Sequence, residues 1–200
     1  TFATQIKKVG LQLSYSAKTS RPSYNQLGTN VAYMNRFTRQ SGNPTLKPAT
    51  LHNISLVSNW DILTFVANYT QTHNKIMYWN EQEGVNENIT TLRYRNFDNL
   101  PVLTLSLTAA PRIGVWSPQL TLFCQKQWFD IERLGSKFDL SKPIWGLQWN
   151  NSFEFKHDWT AEAFLQVNSK GITENSELTR TTCAFNFSVR KAFLNDRLSV

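Results

Sequence analysis

Polar and apolar residues alternate along most of the chain. Val9, Leu11, Leu13, Tyr15 and Ala17 share one parity, and Gly10, Gln12, Ser14 and Ser16 the other. This period of two is that of a strand with one apolar and one polar face. It returns at Ile54, Leu56 and Trp60; at Leu63, Phe65, Ala67 and Tyr69; and at Leu103, Leu105 and Leu107. Further runs are Leu120 and Leu122; Trp145, Leu147 and Trp149; Ala161, Ala163, Leu165 and Val167; and Cys183, Phe185, Phe187 and Val189. Helical spacing is hard to find. About eight substantial strands are expected, with fragments at both ends, in an all-β antiparallel up-and-down meander. One parity change interrupts the pattern. Leu92 and Tyr94 are the apolar members before residue 96, and odd-numbered residues after 102. A single strand keeps its face there only through a bulge around Asn96–Pro101; the alternative is a turn at Asp98-Asn99.

The connections carry more information than the strands. Short links near Gln5–Lys8, Ser58–Asp61, Ala110–Gly114, Lys156–Trp159 and Ala192–Asp196 alternate with long polar ones at Lys18–Thr50, Asn74–Asn88, Lys126–Pro143 and Lys170–Leu178. A soluble sandwich has no reason to make one end special. An outer-membrane barrel does, with short periplasmic turns, long outer loops and strands of about 9 to 11 residues. Trp60, Trp116 and Trp159 each adjoin a different short link and Phe193 a fourth, as an interfacial aromatic girdle would. The opposite faces are polar but mostly uncharged (Thr104, Ser106, Thr108; Gln148, Asn150, Ser152), which suits an enclosed lumen better than an open solvated surface.

Two segments carry a family resemblance: SYSAKTSRPSYNQL over Ser14–Leu27 and SGNPTLKPATLHNISL from Ser41. They resemble the outer-membrane β-barrel domain of TonB-dependent-receptor-like proteins, with Ala49 where the family motif has Glu. His73-Asn74-Lys75-Ile76 is similar to the point where the next strand leaves the membrane in that family, and Val189–Leu198 to a late short turn. The resemblance implies a wall segment, residues 1–200, truncated at both ends relative to a larger barrel with an N-terminal plug. It implies a receptor in the bacterial outer membrane that imports a ligand, with lipid, plug and TonB as partners. Loop residues Tyr24, Tyr33, Arg36, Phe37, Tyr78 and Trp79 are its candidate ligand contacts, against the alternative that they pack the loops together. An isolated piece must close into a smaller barrel or associate edge to edge, because lipid cannot satisfy bare strand edges. Other readings are a standalone small outer-membrane barrel with an adhesive or structural role, and a soluble β-barrel that binds a small ligand.

Composition narrows the chemistry. The chain has 200 residues, 21 Lys+Arg against 14 Asp+Glu, and a net charge of +7. Those bases are scattered in runs of no more than two, so a nucleic-acid surface is not expected. Forty per cent hydrophobic and 13% aromatic residues exclude wholesale disorder. No catalytic, nucleotide-binding or metal motif is found, and neither an enzyme nor a cofactor is expected. His52, His73 and His157 fall on separate elements without ligand spacing. Glu81, Glu83 and Glu87 read as a solvated loop face. Cys124 and Cys183 read as small unpaired groups facing lipid.

Overall fold

The computed structural model describes residues 1–82, 89–133, 136–193 and 198–199. Its strands are β1 (Phe2–Ile6), β2 (Val9–Ser20), β3 (Val31–Asn35), β4 (Thr38–Ser41), β5 (Ala49–Trp60), β6 (Leu63–Gln82), β7 (Thr90–Ala109) and β8 (Trp116–Gln127), followed by β9 (Asp130–Arg133), β10 (Ser136–Asp139), β11 (Ile144–Phe155), β12 (Trp159–Asn168), β13 (Gly171–Thr173), β14 (Ser176–Leu178), β15 (Thr182–Phe193) and β16 (Leu198–Ser199). Eight of these have ten residues or more: β2, β5, β6, β7, β8, β11, β12 and β15. They pair in the order β1-β2-β5-β6-β7-β8-β11-β12-β15-β16, each with its neighbour in the meander. Among the described residues the path does not return from β16 to β1, so it is that of part of a barrel wall rather than of a smaller closed barrel.

The short strands lie inside the long links. β3 pairs with β4, which runs parallel to β7 from Thr38↔Thr90 to Ser41↔Arg93. β9–β10 and β13–β14 are separate hairpins. One helix, α1 (Tyr24–Leu27), was not expected. Its signal is Ser23-x-x-Gln26: Gln26 N–H donates to Ser23 Oγ at 3.4 Å and Ser23 N–H to Gln26 Oε1 at 2.8 Å, a reciprocal capping box.

The structure corrects one link. Asn74–Asn88 is not all loop: β6 reaches Gln82 and β7 begins at Thr90. At about 3.3 Å per residue these strands of 20 residues are each roughly 66 Å long. Crossing an apolar band of about 25 Å at a 45° tilt takes only about 11 residues. The turn at Asp98-Asn99 does not form, since β7 stays extended through it. Buried positions still change parity along β7, from Thr91 to Leu100, and the consecutive Asp98 and Asn99 are both exposed. In β6 the backbone is left-handed at Asn74 (φ 51°), the mark of a bulge, and Asn96 Nδ2 caps the Asn74 carbonyl at 2.8 Å. Asn is among the few side chains that tolerate this region.

The chain forms two compact units. One comprises Thr1–Ser14, Ile54–Tyr69 and Val102–Val200; the other comprises Tyr15–Asn53 and Thr70–Pro101. In the first, cross-strand registry aligns the faces. One row reads Leu120, Trp149, Leu165, Phe185, and the next Leu107, Leu122, Leu147, Val167, Cys183. The opposite face reads Thr108, Thr121, Gln148, Gln166. The apolar rows are the uncovered ones: Phe185 is 65% exposed, Phe187 63% and Trp145 61%. Patches of this kind mark an interface or a membrane rather than a water-facing surface. The buried apolar side chains of this unit, Phe129, Ile144 and Ile172, lie at or beside the long links.

Candidate functional site

In the unit Tyr15–Asn53 with Thr70–Pro101, the long link folds back onto β7 through the Gly-Asn-Pro segment. Asn43 N–H donates to the Gln26 carbonyl at 2.6 Å, and Asn43 Nδ2 to the Tyr94 carbonyl at 3.0 Å. Asn96 accepts from Lys47 N–H at 2.8 Å and donates to the Lys47 carbonyl at 3.0 Å. A β-carbon on Gly42 would run into the backbone of Gly28 and Gln26, so only glycine allows this approach. Arg39 Nε donates to Thr91 Oγ1 at 2.8 Å beside the parallel β4–β7 ladder.

All six candidate ligand contacts belong to this unit, but the structure sorts them. Tyr24, Tyr33, Arg36 and Phe37 are exposed on α1 and the β3–β4 hairpin, with Tyr24 94% exposed and Arg36 5.9 Å from the Phe37 ring. Tyr78 and Trp79 pack on the neighbouring strand, Tyr78 against Tyr94 (5.0 Å between centroids) and Trp79 against Phe97 (5.3 Å). Being consecutive in a strand, Tyr78 and Trp79 point to opposite faces and do not serve one pocket together. On the Trp79 side stand two residues not predicted as contacts. Arg95 lies 5.9 Å from the Phe97 ring, and Arg93 pairs with Glu81 at 3.7 Å. Arg93 Nε is buried without a hydrogen-bond partner. Glu83 and Glu87, the other members of the acidic group, lie outside the described residues.

The histidines stand on separate elements, but two of them come together. His52 and His73 meet across β5 and β6 with rings 6.0 Å apart, and Tyr15 Oη lies 2.7 Å from His52 Nδ1. Sequence spacing could not disclose this, because pairing across strands brings together residues 21 and 37 positions apart. Among the described residues no group of three His, Cys, Asp or Glu could hold a metal.

In the other unit, Trp60, Trp116 and Trp159 stand at strand ends beside three short turns. Trp116 Nε1 donates to Asn151 Oδ1 at 3.0 Å, and Lys191 Nζ lies 4.9 Å from the Trp159 ring centre. The side chain of Phe193 lies outside the described residues. Cys124 and Cys183 are free and fall in the apolar rows. Among the long links, Gln127 is 1% exposed and joins two of them. Its Nε2 donates to the Leu140 carbonyl at 2.6 Å and the Glu174 carbonyl at 2.8 Å, and its Oε1 accepts from Glu174 N–H at 2.8 Å. Lys142 pairs with Glu177 at 2.8 Å beside it. That hydrogen bond and the Glu177 charge raise the Lys142 pKa, while hydrogen bonds from Ser141 lower that of Asp139.

The profile of the Outer membrane protein beta-barrel family matches residues 2–200. The chain belongs to that family. It is an outer-membrane β-barrel segment, and its uncovered apolar rows therefore face lipid. Its fold is similar to the siderophore receptor PirA of Pseudomonas aeruginosa, with a TM-score of 0.69 at 15% identity over 96% of this chain and 35% of that one. A mutant of the ferric enterobactin receptor PfeA from the same organism is similar with a TM-score of 0.59 at 14% identity, over 94% and 31%. The segment thus spans about a third of the length of these solved receptors. No curated protein matches it.

Proposed function

We propose that this segment forms wall and outer loops of a TonB-dependent receptor that imports a ligand, a metal chelate, across the bacterial outer membrane. In this reading it is one truncated barrel domain, residues 1–200. Further strands pair with the edges β1 and β16, because lipid leaves an unpaired edge unsatisfied. A plug domain and TonB complete the machine. Trp60, Trp116, Trp159 and Phe193 anchor the wall at the short-turn interface, where indole joins an apolar body to a polar N–H.

The observation that carries the reading is the face of Trp79, Arg93, Arg95 and Phe97. It stands on strands that outrun the membrane by roughly nine residues each, and it combines flat aromatic surface with the exposed Arg95 guanidinium, while Arg93 is paired with Glu81. Such a face suits an anionic chelate: guanidinium donors meet its charge and rings its planar groups. Likeness to receptors described as siderophore and ferric enterobactin receptors supports the same ligand class.

The test is uptake of iron-55 chelates, catecholate and hydroxamate, by cells carrying the intact receptor. W79A and R95A should each lower uptake of one chelate at least tenfold while surface expression holds. Y78A, on the other face, should stay within twofold. Unchanged uptake in both W79A and R95A would mean that these residues only pack the hairpin.

A further inference from the structure

We infer that the lipid-facing wall carries a built site for one phospholipid of the leaflet at the short-turn end, with an acyl chain in a dent lined by Trp116, Trp149, Phe153, Ala163, Leu165 and Phe185. The dent holds about 290 Å³. It exists because β12 presents small residues in the outward rows where its neighbours present large ones. Ala161 lies between Phe153 and Val189, and Ala163 between Asn151 and Phe187.

The lining specifies the occupant. Asn151 is the polar side chain in the lining, and its Oδ1 already accepts the Trp116 indole N–H at 3.0 Å. Beyond that amide, whose Nδ2 keeps its own donors, the lining is hydrocarbon and suits a chain rather than a headgroup. The charge lies elsewhere. Lys191 stands on the same outward parity of β15 as Phe185 and Phe187, beside Trp159, with its Nζ 4.9 Å from the ring centre. From Phe187 to Lys191 is four residues, about 13 Å along the strand. At the roughly 45° tilt of such strands that is about 9 Å of depth, inside the roughly 12 Å of one leaflet of an apolar band of about 25 Å. An anionic headgroup at Lys191 and Trp159 therefore places its own chain at Ala163. Lysine snorkelling and interfacial Trp supply the anchor, and the dent supplies selectivity over the smooth apolar rows beside it.

The intact receptor, isolated from outer membranes in mild detergent, tests this by native mass spectrometry of retained phospholipid. The wild type should keep one phospholipid through delipidating washes. A163W, which fills the dent, should lower its occupancy at least tenfold. L107W, on the same face but away from the dent, should stay within twofold. K191Q should reduce the preference for phosphatidylglycerol over phosphatidylethanolamine several-fold. Heat-shifted gel mobility establishes that each barrel is folded, and A163L replaces A163W if the latter is not. Retention in A163W and A163L, detergent alone in the wild-type dent, or protein rather than lipid captured by a photo-crosslinker at position 163 would each overturn the assignment.

Discussion

At the scale of single residues, two positions decide how the long links are held. Gln127 is buried among two carbonyls and an N–H from separate links, and each group orphaned by its loss costs about 1–3 kcal/mol. Q127L should therefore weaken the local structure by roughly 3 kcal/mol. Trypsin cleavage at Lys170 and Arg180 should speed up by about two orders of magnitude, since 1.4 kcal/mol is tenfold when opening is pre-equilibrated. An unchanged cleavage rate would mean that the links hold without it. G42A should release the docked link, because the new methyl meets backbone on several sides; proteolysis at Arg36 and Arg39 should rise while the rest of the barrel keeps its protection. Neither role was legible from sequence. Gln127 fell in the expected link Lys126–Pro143 as one more polar residue, and only cross-link contact gives it partners.

At the scale of elements, β15 shows the two faces most plainly, with Phe185 and Phe187 outward and Asn186 opposite. F185R places a charge in the lipid face near mid-strand, where such substitutions cost about 2–4 kcal/mol. N186R, on the lumen side, should cost much less. Urea-induced unfolding of the intact barrel in vesicles checks the contrast, and equal losses would reverse the assignment of faces. The strand ends were less legible than the strands. Trp79 sits where polar composition suggests loop, while Arg93 and Arg95 fall in an expected strand, yet the β6–β7 ladder continues beyond any requirement of the membrane. The link between β8 and β11 has its own pH behaviour. Lys142 is raised by Glu177, so its contribution is present below the ordinary 10.5 and is lost as pH rises through the raised value. Asp139 is lowered by Ser141, so its contribution is present above the ordinary 3.8 and is lost as pH falls through the lowered value. Between these limits the fluorescence of Trp128, one residue past β8, should be flat with pH. A transition near neutrality would contradict the pairings.

At the scale of the whole molecule, the pairing path among the described residues ends at β1 and β16. Expressed alone in detergent, residues 1–200 should associate edge to edge rather than run as a heat-shifted monomer, because each unmet backbone group in an apolar medium costs several kcal/mol. Sedimentation in density-matched detergent distinguishes the two. A folded monomer would require closure of β16 on β1.

Alternation along the chain was enough to give the class, the number of long strands and the faces. Alternation is a local property that each strand must satisfy against lipid on one side and a polar lumen on the other, so it is written position by position. The sequence also placed Trp60, Trp116 and Trp159 beside short turns, because a turn needs only neighbouring residues. Tertiary structure alone decided which side chains meet. Cross-strand registry paired Trp79 with Phe97 and separated it from Tyr78, brought His52 to His73, and set Ala163 among large neighbours to leave a dent. Registry joins residues far apart in the chain through backbone hydrogen bonds that carry no side-chain signature, so no spacing along the sequence could announce it.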